Sequence, residues 1–350
     1  MALDHDKVMA FMGQVVADMG ATGSAGLAVI GNRLGLYRSL AQGPATPEQF
    51  AERTGYARRY LTEWLNNQAA GGYVSYEPST GEFFMTEEQA FCLADPNGPN
   101  VSSVFLVGLG YLRAEPQITE AFRTGEGVGW HTHHDDVFVG VDAFFRPGYV
   151  AELVPNWIPA LDGVHQKLTA GARVADLGCG LGSSSVLMAQ AYPRSTVVGS
   201  DYHAGSIELA TKKVAEAGVA DRVSFEVATA QTFTGTGYDL VTTFDALHDM
   251  GDPVGAARHV REALAPDGTW LVVEPNAGDQ VEDNHNPVGR LYYAGSTFLC
   301  VPNALSQPGG HALGAQAGEA AIHQVMVDAG FTRFRRAAQS PFNLVYEVRP

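Results

Sequence analysis

The chain has 350 residues, 45% hydrophobic and 10% aromatic, enough for about two domains with cores of ordinary size. Acidic residues outnumber basic ones 38 to 22, a formal net charge of −16, which argues against the basic surface that nucleic acids and anionic membranes require. A small-molecule substrate is expected, with no nucleic acid and no membrane as partner. No apolar run reaches the roughly 18 residues that span a bilayer, and the opening Met-Ala-Leu-Asp-His-Asp lacks the basic and apolar regions of a secretory signal. Three scattered cysteines, Cys92, Cys179 and Cys300, suit reduced thiols. A cytoplasmic protein is expected.

In chain order, Ser24 to Leu40 carries apolar residues at helical spacing (Leu27, Ile30, Leu34, Leu40). Thr46-Pro47-Glu48 is a helix start, with Thr as cap, Pro in the first turn and an acid beside it; that helix ends at Thr54-Gly55. A third helix runs from Arg58 to Ala70. The aromatic segments Tyr73–Tyr76 and Glu82–Thr86, around a Pro/Gly turn, predict a hairpin. Three helices and a hairpin resemble a winged helix. Arg58-Arg59 is the best local basic patch, and the charge balance favours a dimerisation module over a DNA reader. Residues 1–95 are therefore expected to be a winged-helix dimerisation domain, and the chain a homodimer. Residues 96–169 read as a helical linker and active-site lid, broken by Gly125-Glu-Gly-Val-Gly129 and carrying Trp130-His-Thr-His-His-Asp-Asp136.

From Gly171 strand and helix alternate. Strands are expected at 174–177, 196–201, 223–228, 238–244 and 268–274, with helices at 183–192, 206–218 and 253–264. A helix at 315–329 and two strands, 331–337 and 343–348, close the chain as an antiparallel edge. Alternation of this kind predicts a parallel sheet wrapped by helices, and residues 276–314 are long enough to be functional cover. The fold class is α/β, with a Rossmann-like seven-stranded domain over 170–350.

The first strand-to-helix turn reads Val174-Ala-Asp176-Leu-Gly178-Cys-Gly180-Leu-Gly182. Glycines there let the backbone approach a ligand. A G-x-G-x-x-G turn would equally signal a dinucleotide; the G-x-G-x-G spacing, the preceding acid and Asp201 at the end of the second strand favour a cofactor with a cationic amino-acid end and no pyrophosphate. On these residues the chain resembles the class I S-adenosylmethionine-dependent methyltransferases. The resemblance implies that Asp176, Gly178, Gly180 and Gly182 hold the methionine moiety, that Asp201 binds the ribose, and that Tyr202 flanks the adenine. The family's acid after the third strand is replaced by Thr229-Ala230-Gln231, which take the adenine contact. Asp245, at the end of the fourth strand, completes the expected cofactor set.

Leu247-His248-Asp249-Met250-Gly251-Asp252 resembles the Leu-His-Asp-Trp-x-Asp motif of small-molecule O-methyltransferases that also carry an N-terminal winged helix. In that resemblance His248 is a general base, a task its ordinary pKa near 6.5 suits. The overall plan also resembles a small bacterial group that methylates the β-carbon of α-keto acids with a bound divalent metal or iron. That second resemblance implies a zinc or iron site at His248, His285 and His311, a metal-stabilised enolate, and Asp249 as base or as holder of a metal-bound water. The leading expectation is thus metal-dependent C-methylation of an α-keto acid. The alternatives are a metal-free O-methyltransferase with His248 as base, and a winged-helix regulator that senses S-adenosylmethionine. Arg113, Arg123 and Arg290 are candidate carboxylate clamps. The His131, His133, His134 loop is read as a lid, and His165, His259 and His323 as structural. Phe105, Tyr111, Trp130, Phe298 and Leu299 are the candidate apolar pocket.

Overall fold

A computed structural model describes residues 3–96 and 98–350. It divides into two compact units, one ending at Leu109 and the other beginning at Gly110.

The first unit opens with α1 (His5–Arg33), capped by the Asp4 side chain, which accepts from the backbone N–H groups of Asp6 and Lys7. The helix therefore starts well ahead of the expected Ser24. It also stops early, because Gly35 adopts φ 67° and separates it from α2 (Leu36–Leu40). Then come α3 (Pro47–Thr54), with a Thr46/Gln49 capping box, and α4 (Arg58–Ala70). Strands β1 (Ser75–Glu77) and β2 (Glu82–Phe84) pair antiparallel as expected. A further helix, α5 (Glu87–Leu93), rests on a second capping box, Thr86/Gln89; its seven residues are too few to show a period. Tyr37, Phe50, Trp64, Leu65 and Phe83 form the core. Trp64 Nε1 donates to the Leu27 carbonyl at 2.9 Å, and Gly31 is required there, since a Cβ would lie 2.6 Å from the Trp64 ring. On α4, Arg58 pairs with Glu48 and Arg59 with Glu63, so each arginine of that patch faces an acid. The first half of α1 exposes Val8, Met9, Met12, Val15, Val16 and Met19.

The division between the units falls within α6 (Phe105–Leu112). After it come α7 (Glu115–Thr124), α8 (Asp135–Glu152) and α9 (Val164–Ala170). The sheet follows: β3 (Arg173–Leu177), α10 (Ser183–Ala191), β4 (Thr196–Asp201), α11 (Ala204–Glu216), β5 (Val223–Val227), β6 (Tyr238–Phe244), α12 (Pro253–Ala263) and β7 (Leu264–Pro275). The end of the chain supplies α13 (Pro287–Gly295), α14 (Val301–Leu305), α15 (Gly318–Asp328), β8 (Arg333–Gln339) and β9 (Asn343–Arg349). Seven strands in the order β5-β4-β3-β6-β7-β9-β8 make the expected sheet. The first five are parallel; β9 runs antiparallel to β7, and β8 antiparallel to β9.

Alternate residues along the strands face opposite layers. Val241, Trp270, Val272 and Tyr346 pack with Val260 and Met326 of α12 and α15; Leu240, Leu271, Val273 and Val345 pack with Leu168, Met188 and Val214 of α9, α10 and α11. Both faces are thus buried, as parallel sheets require. The chain reverses its winding between β3 and β6, and in such sheets the crevice at that switch point, outside the carboxyl ends of the strands, holds the ligand. Among the described residues no helix is long and apolar enough to cross a membrane.

Candidate active site

The turn after β3 is built on positive backbone angles. Gly178, Gly180 and Gly182 have φ of 64°, 52° and 73°, a region that side chains with a Cβ rarely enter. Space is short as well: a Cβ on Gly182 would lie 2.7 Å from the Phe225 ring, and one on Gly178 would lie 2.8 Å from Ala246. The turn opens onto a cavity of about 470 Å³ at the switch point, lined by Gly178–Leu181, Asp201, Tyr202, Ala228–Gln231, Asp245 and Ala246. Trp130 and, from α8, Phe138, Val141, Asp142, Phe145 and Tyr149 line it too, so the segment expected as a lid does contribute a wall.

The expected cofactor residues gather here with two exceptions, Asp176 and Gly182, neither of which lines the cavity. Asp176 is fully buried and does not line the cavity. Its Oδ2 accepts from Ser184 Oγ at 2.7 Å and Ser185 Oγ at 2.5 Å, and its Oδ1 from Thr242 Oγ1 at 2.8 Å. With its hydrogen bonds spent on α10 and β6, it braces the turn instead of touching a ligand. Asp201 accepts from Gly180 N at 2.9 Å and His203 N at 2.9 Å, and burial raises its carboxyl above the usual range. Gln231 Nε2 donates to the Asp252 carbonyl at 2.9 Å, which fixes the 229–231 wall. Asp245 sits at φ 49°. Its Oδ1 accepts from Asn343 Nδ2 at 2.8 Å, while Oδ2 is shut from solvent and has no hydrogen-bond partner. Burial first, then the Glu274 carboxylate, push its pKa well above the carboxylate range.

Charge sets the character of the cavity. Asp142, Asp201, Asp245, Asp249 and Asp252 line it. Of these, among the described residues, only Asp142 is in an ion pair, with Lys213 Nζ at 2.9 Å. Among the described residues that line it there is no lysine, arginine or histidine.

His248 lies behind this wall, 3% exposed. Its Nδ1 is 2.6 Å from Glu274 Oε2 and its Nε2 3.3 Å from Cys300 Sγ; Glu274 Oε1 also accepts from Leu247 N at 3.1 Å. Burial opposes a charge on the imidazole, but the Glu274 carboxylate and Cys300 outweigh it and hold its pKa well above the ordinary value. Asp249 lines the cavity, and burial pushes its carboxyl up to about 7 against the pull of His248.

Glu274 and Cys300 were not singled out from the sequence. Glu274 could have been: β6 and β7 pair with Phe244 opposite Val273, so Asp245, just after β6, and Glu274, at the end of β7, come together at the carboxyl edge. Cys300, on the turn Ser296–Cys300, gives no such signal.

The expected metal triad is not assembled. His285 and His311 are exposed, whereas His248 is 3% exposed. Among the described residues no group of three His, Cys, Asp or Glu side chains could hold a metal ion. The histidine loop is no substitute. His131 and His134 are exposed, with His134 Nδ1 capping α8 through Asp136 N at 3.1 Å; His133 is buried with neither nitrogen hydrogen-bonded. The residues present do not fit zinc or iron. The carboxylate clamps fare similarly: Arg113 pairs with Asp136 and Arg123 with Glu120, Arg290 is exposed, and none lines the cavity. Of the candidate apolar pocket only Trp130 lines it; Tyr111 and Phe298 stack on each other with centroids 5.0 Å apart, Leu299 is buried, and Phe105 packs on Tyr73. Of the histidines read as structural, His165 bonds Tyr192 Oη at 3.0 Å, His259 bonds the Phe233 carbonyl at 2.9 Å, and His323 stacks on Phe334.

Comparison with known proteins points the same way. Residues 168–321 match the family model of a methyltransferase domain, and residues 23–95 that of an Rv2258c-like winged HTH domain. Methyltransferase GfsG of Streptomyces halstedii is 28% identical over 109 residues, 31% of this chain and 39% of that protein. For this and two further curated relatives the aligned stretch is 39% to 49% of their length, so the chain spans less than half of each. Among solved structures, mitomycin 7-O-methyltransferase MmcR superposes with a TM-score of 0.72 at 20% identity, over 99% of this chain and 100% of that one. Human N-acetylserotonin methyltransferase, in complex with SAM, superposes at 0.71 and 17% identity, over 100% and 99%. The chain therefore carries a methyltransferase domain at residues 168–321, preceded at residues 23–95 by an Rv2258c-like winged helix-turn-helix domain, on a fold shared along its length with methyltransferases of known structure.

Proposed function

We propose that the chain transfers a methyl group from S-adenosylmethionine to a hydroxyl of a small, uncharged acceptor, with His248 as general base. The observation that carries this reading is the cavity beside the glycine turn, lined by five carboxylates and, among its described residues, by no cation. A dinucleotide pyrophosphate would find no lysine or arginine among those residues, whereas a sulfonium and an ammonium meet aspartates whose charged form they favour. The donor brings an electrophilic methyl on a cationic sulfur. Gly178, Gly180 and Gly182 let the backbone approach it, Asp245 Oδ2 takes its ammonium, Asp201 its ribose, and Tyr202 with Thr229–Gln231 its adenine. Asp176 acts through Ser184, Ser185 and Thr242.

An α-keto acid would bring a carboxylate into this field with no clamp facing it, which supports the hydroxyl acceptor over C-methylation. The Glu274–His248 pair fixes the ring with Nε2 against Cys300 Sγ; the acceptor hydroxyl must displace that thiol contact, and the raised pKa means that Nε2 takes its proton, as the methyl passes from sulfur to oxygen, increasingly as pH rises. The name of MmcR records O-transfer, in keeping with this chemistry. A second copy of the chain is the expected partner: Met9, Met12, Val16 and Met19 recur at helical spacing on α1 and are about half or more exposed.

The test is transfer of a labelled methyl from S-adenosylmethionine to a panel of neutral phenols and of α-keto acids, with and without chelator. Methyl ethers whose formation ignores chelator and falls about 10²–10⁴-fold in His248→Asn are expected. A C-methylated keto acid lost on chelation would overturn the reading.

A further inference from the structure

The strongest unassigned feature of the cavity is one side chain, Asn303 of α14, which is 3% exposed. Its Oδ1 accepts from the Trp130 backbone N–H at 3.1 Å and from the Tyr202 hydroxyl at 2.9 Å, and its Nδ2 donates to the Asp249 carbonyl at 3.2 Å. The partners fix the amide's orientation, because a backbone N–H needs the oxygen and a carbonyl needs the nitrogen. Three walls far apart in sequence meet on this amide: the loop before α8, the end of β4 and the turn after β6. Trp130, Tyr202, Asp249 and Asn303 all line the cavity.

The loop is seated on α14 by more than that bond. Val128 N donates to the Pro302 carbonyl at 2.9 Å, and a Cβ on Gly127 would lie 2.0 Å from Ser306 N, so no other residue lets the loop come this close. Gly125, at φ 75°, ends α7 and starts the loop. Beside Asn303, just after α14, Gln307 repeats the grip: Nε2 donates to the Asp249 carbonyl at 3.1 Å and Oε1 accepts from Gly251 N at 3.2 Å.

We infer that Asn303 is a positioning residue that couples cofactor seating to the reacting end, holding Tyr202, the Trp130 loop and the Asp249 peptide in one register. The inference rests on the reading of the cavity as the S-adenosylmethionine site. No other residue of similar size serves: aspartate keeps both acceptor contacts but cannot donate to Asp249, and leucine fills the space with neither. Asp249 faces His248 on its own turn, Glu274 on β7 and Asp201 on β4, and Asn303 is among the groups that lower its carboxyl.

The experiment uses the full chain with Asn303→Leu and Asn303→Asp. Calorimetry reads S-adenosylmethionine affinity, chymotrypsin reads access to the bond after Trp130 with cofactor present, and the pH profile of kcat reads the reacting end. N303L should weaken the cofactor about tenfold or more, by the loss of buried hydrogen bonds, and expose Trp130 to cleavage. N303D should bind within about threefold of wild type and stay protected, because both acceptor contacts survive, but its acid limb should move up by about one pH unit. The new carboxylate shifts the limb through its own charge, so the limb reads only whether this side chain reaches the reacting end, and an unmoved limb in N303D counts against the coupling. N303L with wild-type affinity and cleavage overturns the inference while leaving the cofactor reading intact. Wild type that fails to bind S-adenosylmethionine overturns the reading itself and the inference with it. If N303L melts below assay temperature, Tyr202→Phe removes one of the three bonds and should weaken the cofactor about threefold; unchanged affinity again overturns it.

Discussion

Asp245→Asn should make the empty protein more stable and the cofactor bind worse. The native Oδ2 is buried with no hydrogen-bond partner, and the residue sits at φ 49°, a conformation asparagine tolerates at least as well as aspartate. Oδ1 of the new amide can keep the bond from Asn343 Nδ2, so the substitution removes a charge and little else. An unsatisfied buried polar group costs about 1–3 kcal/mol; a neutral amide still lacks one partner, so recovery of about 1 kcal/mol is expected. For a unit of this size that is a rise in Tm of about 2–4 °C. The sign with pH follows from the direction of the shift. A carboxyl whose folded pKa is raised destabilises the fold only above its unfolded value of about 4, and increasingly so up to the folded pKa. The gain in Tm should therefore be small near pH 4 and grow toward neutrality. Binding moves the other way: losing a charge-assisted contact to an ammonium, worth about 1.5–3 kcal/mol, weakens S-adenosylmethionine roughly 10–100-fold. Wild-type affinity should also rise with pH as Asp245 ionises, while the variant's stays flat. Thermal melts from pH 4 to 8 and calorimetry over the same range read both effects. A variant that is less stable than wild type at pH 7, or that binds the cofactor equally well, refutes the assignment of Oδ2 as the cation's partner.

Glu274→Gln removes the charge that holds the His248 pKa up, so the acid limb of kcat/KM should move to lower pH by about 1–2 units, with a lower plateau. A raised histidine pKa stabilises the fold below the unfolded value of about 6.5 and ceases to do so as pH rises through the folded pKa; the variant's loss of Tm should thus be larger at pH 6 than at alkaline pH, as melts at several pH values would read. Gly182→Val must fit a branched side chain at φ 73° where even a Cβ would lie 2.7 Å from the Phe225 ring, and calorimetry should find cofactor binding reduced about 5- to 150-fold, by a strain of about 1–3 kcal/mol at the turn. Met12→Glu with Val16→Glu on α1 should convert a dimer to monomers in light scattering without changing cofactor affinity per chain; a wild-type monomer would contradict the assignment of that face to a second copy.

The α/β architecture was legible because its signals are local. Apolar runs of strand length, glycine-ended helices and the Thr46-Pro47 start each depend on a few adjacent residues, and the strands of the sheet lie where alternation put them. Helix α5 was not legible, since seven residues give no period, and its Thr86/Gln89 box was the only cue. The site divides along the same line. Residues that the turn itself carries, such as Gly180, or that end a strand beside it, such as Asp201 and Asp245, reach the cavity because the topology leaves them no alternative. Asp176 shares that position in sequence yet points inward, as the period of two along a strand allows for one residue of any pair. What decided its role was the presence of Ser184, Ser185 and Thr242 to satisfy it.

The metal triad failed for a different reason. His248 is fixed by a strand end, whereas His285 and His311 belong to a long connection whose path follows from packing and not from local pattern. That path brought Cys300 to His248 Nε2 and Asn303 to the cavity wall, and left both histidines in solvent. In this fold the strand ends supply the groups that can be read in advance, and the 276–314 connection decides which of them stay open to a ligand. Selectivity for the acceptor should accordingly change more readily through substitutions in that connection than through any in the sheet, and the hydroxyl reading stands or falls on what the edge of His248 beside Cys300 can admit.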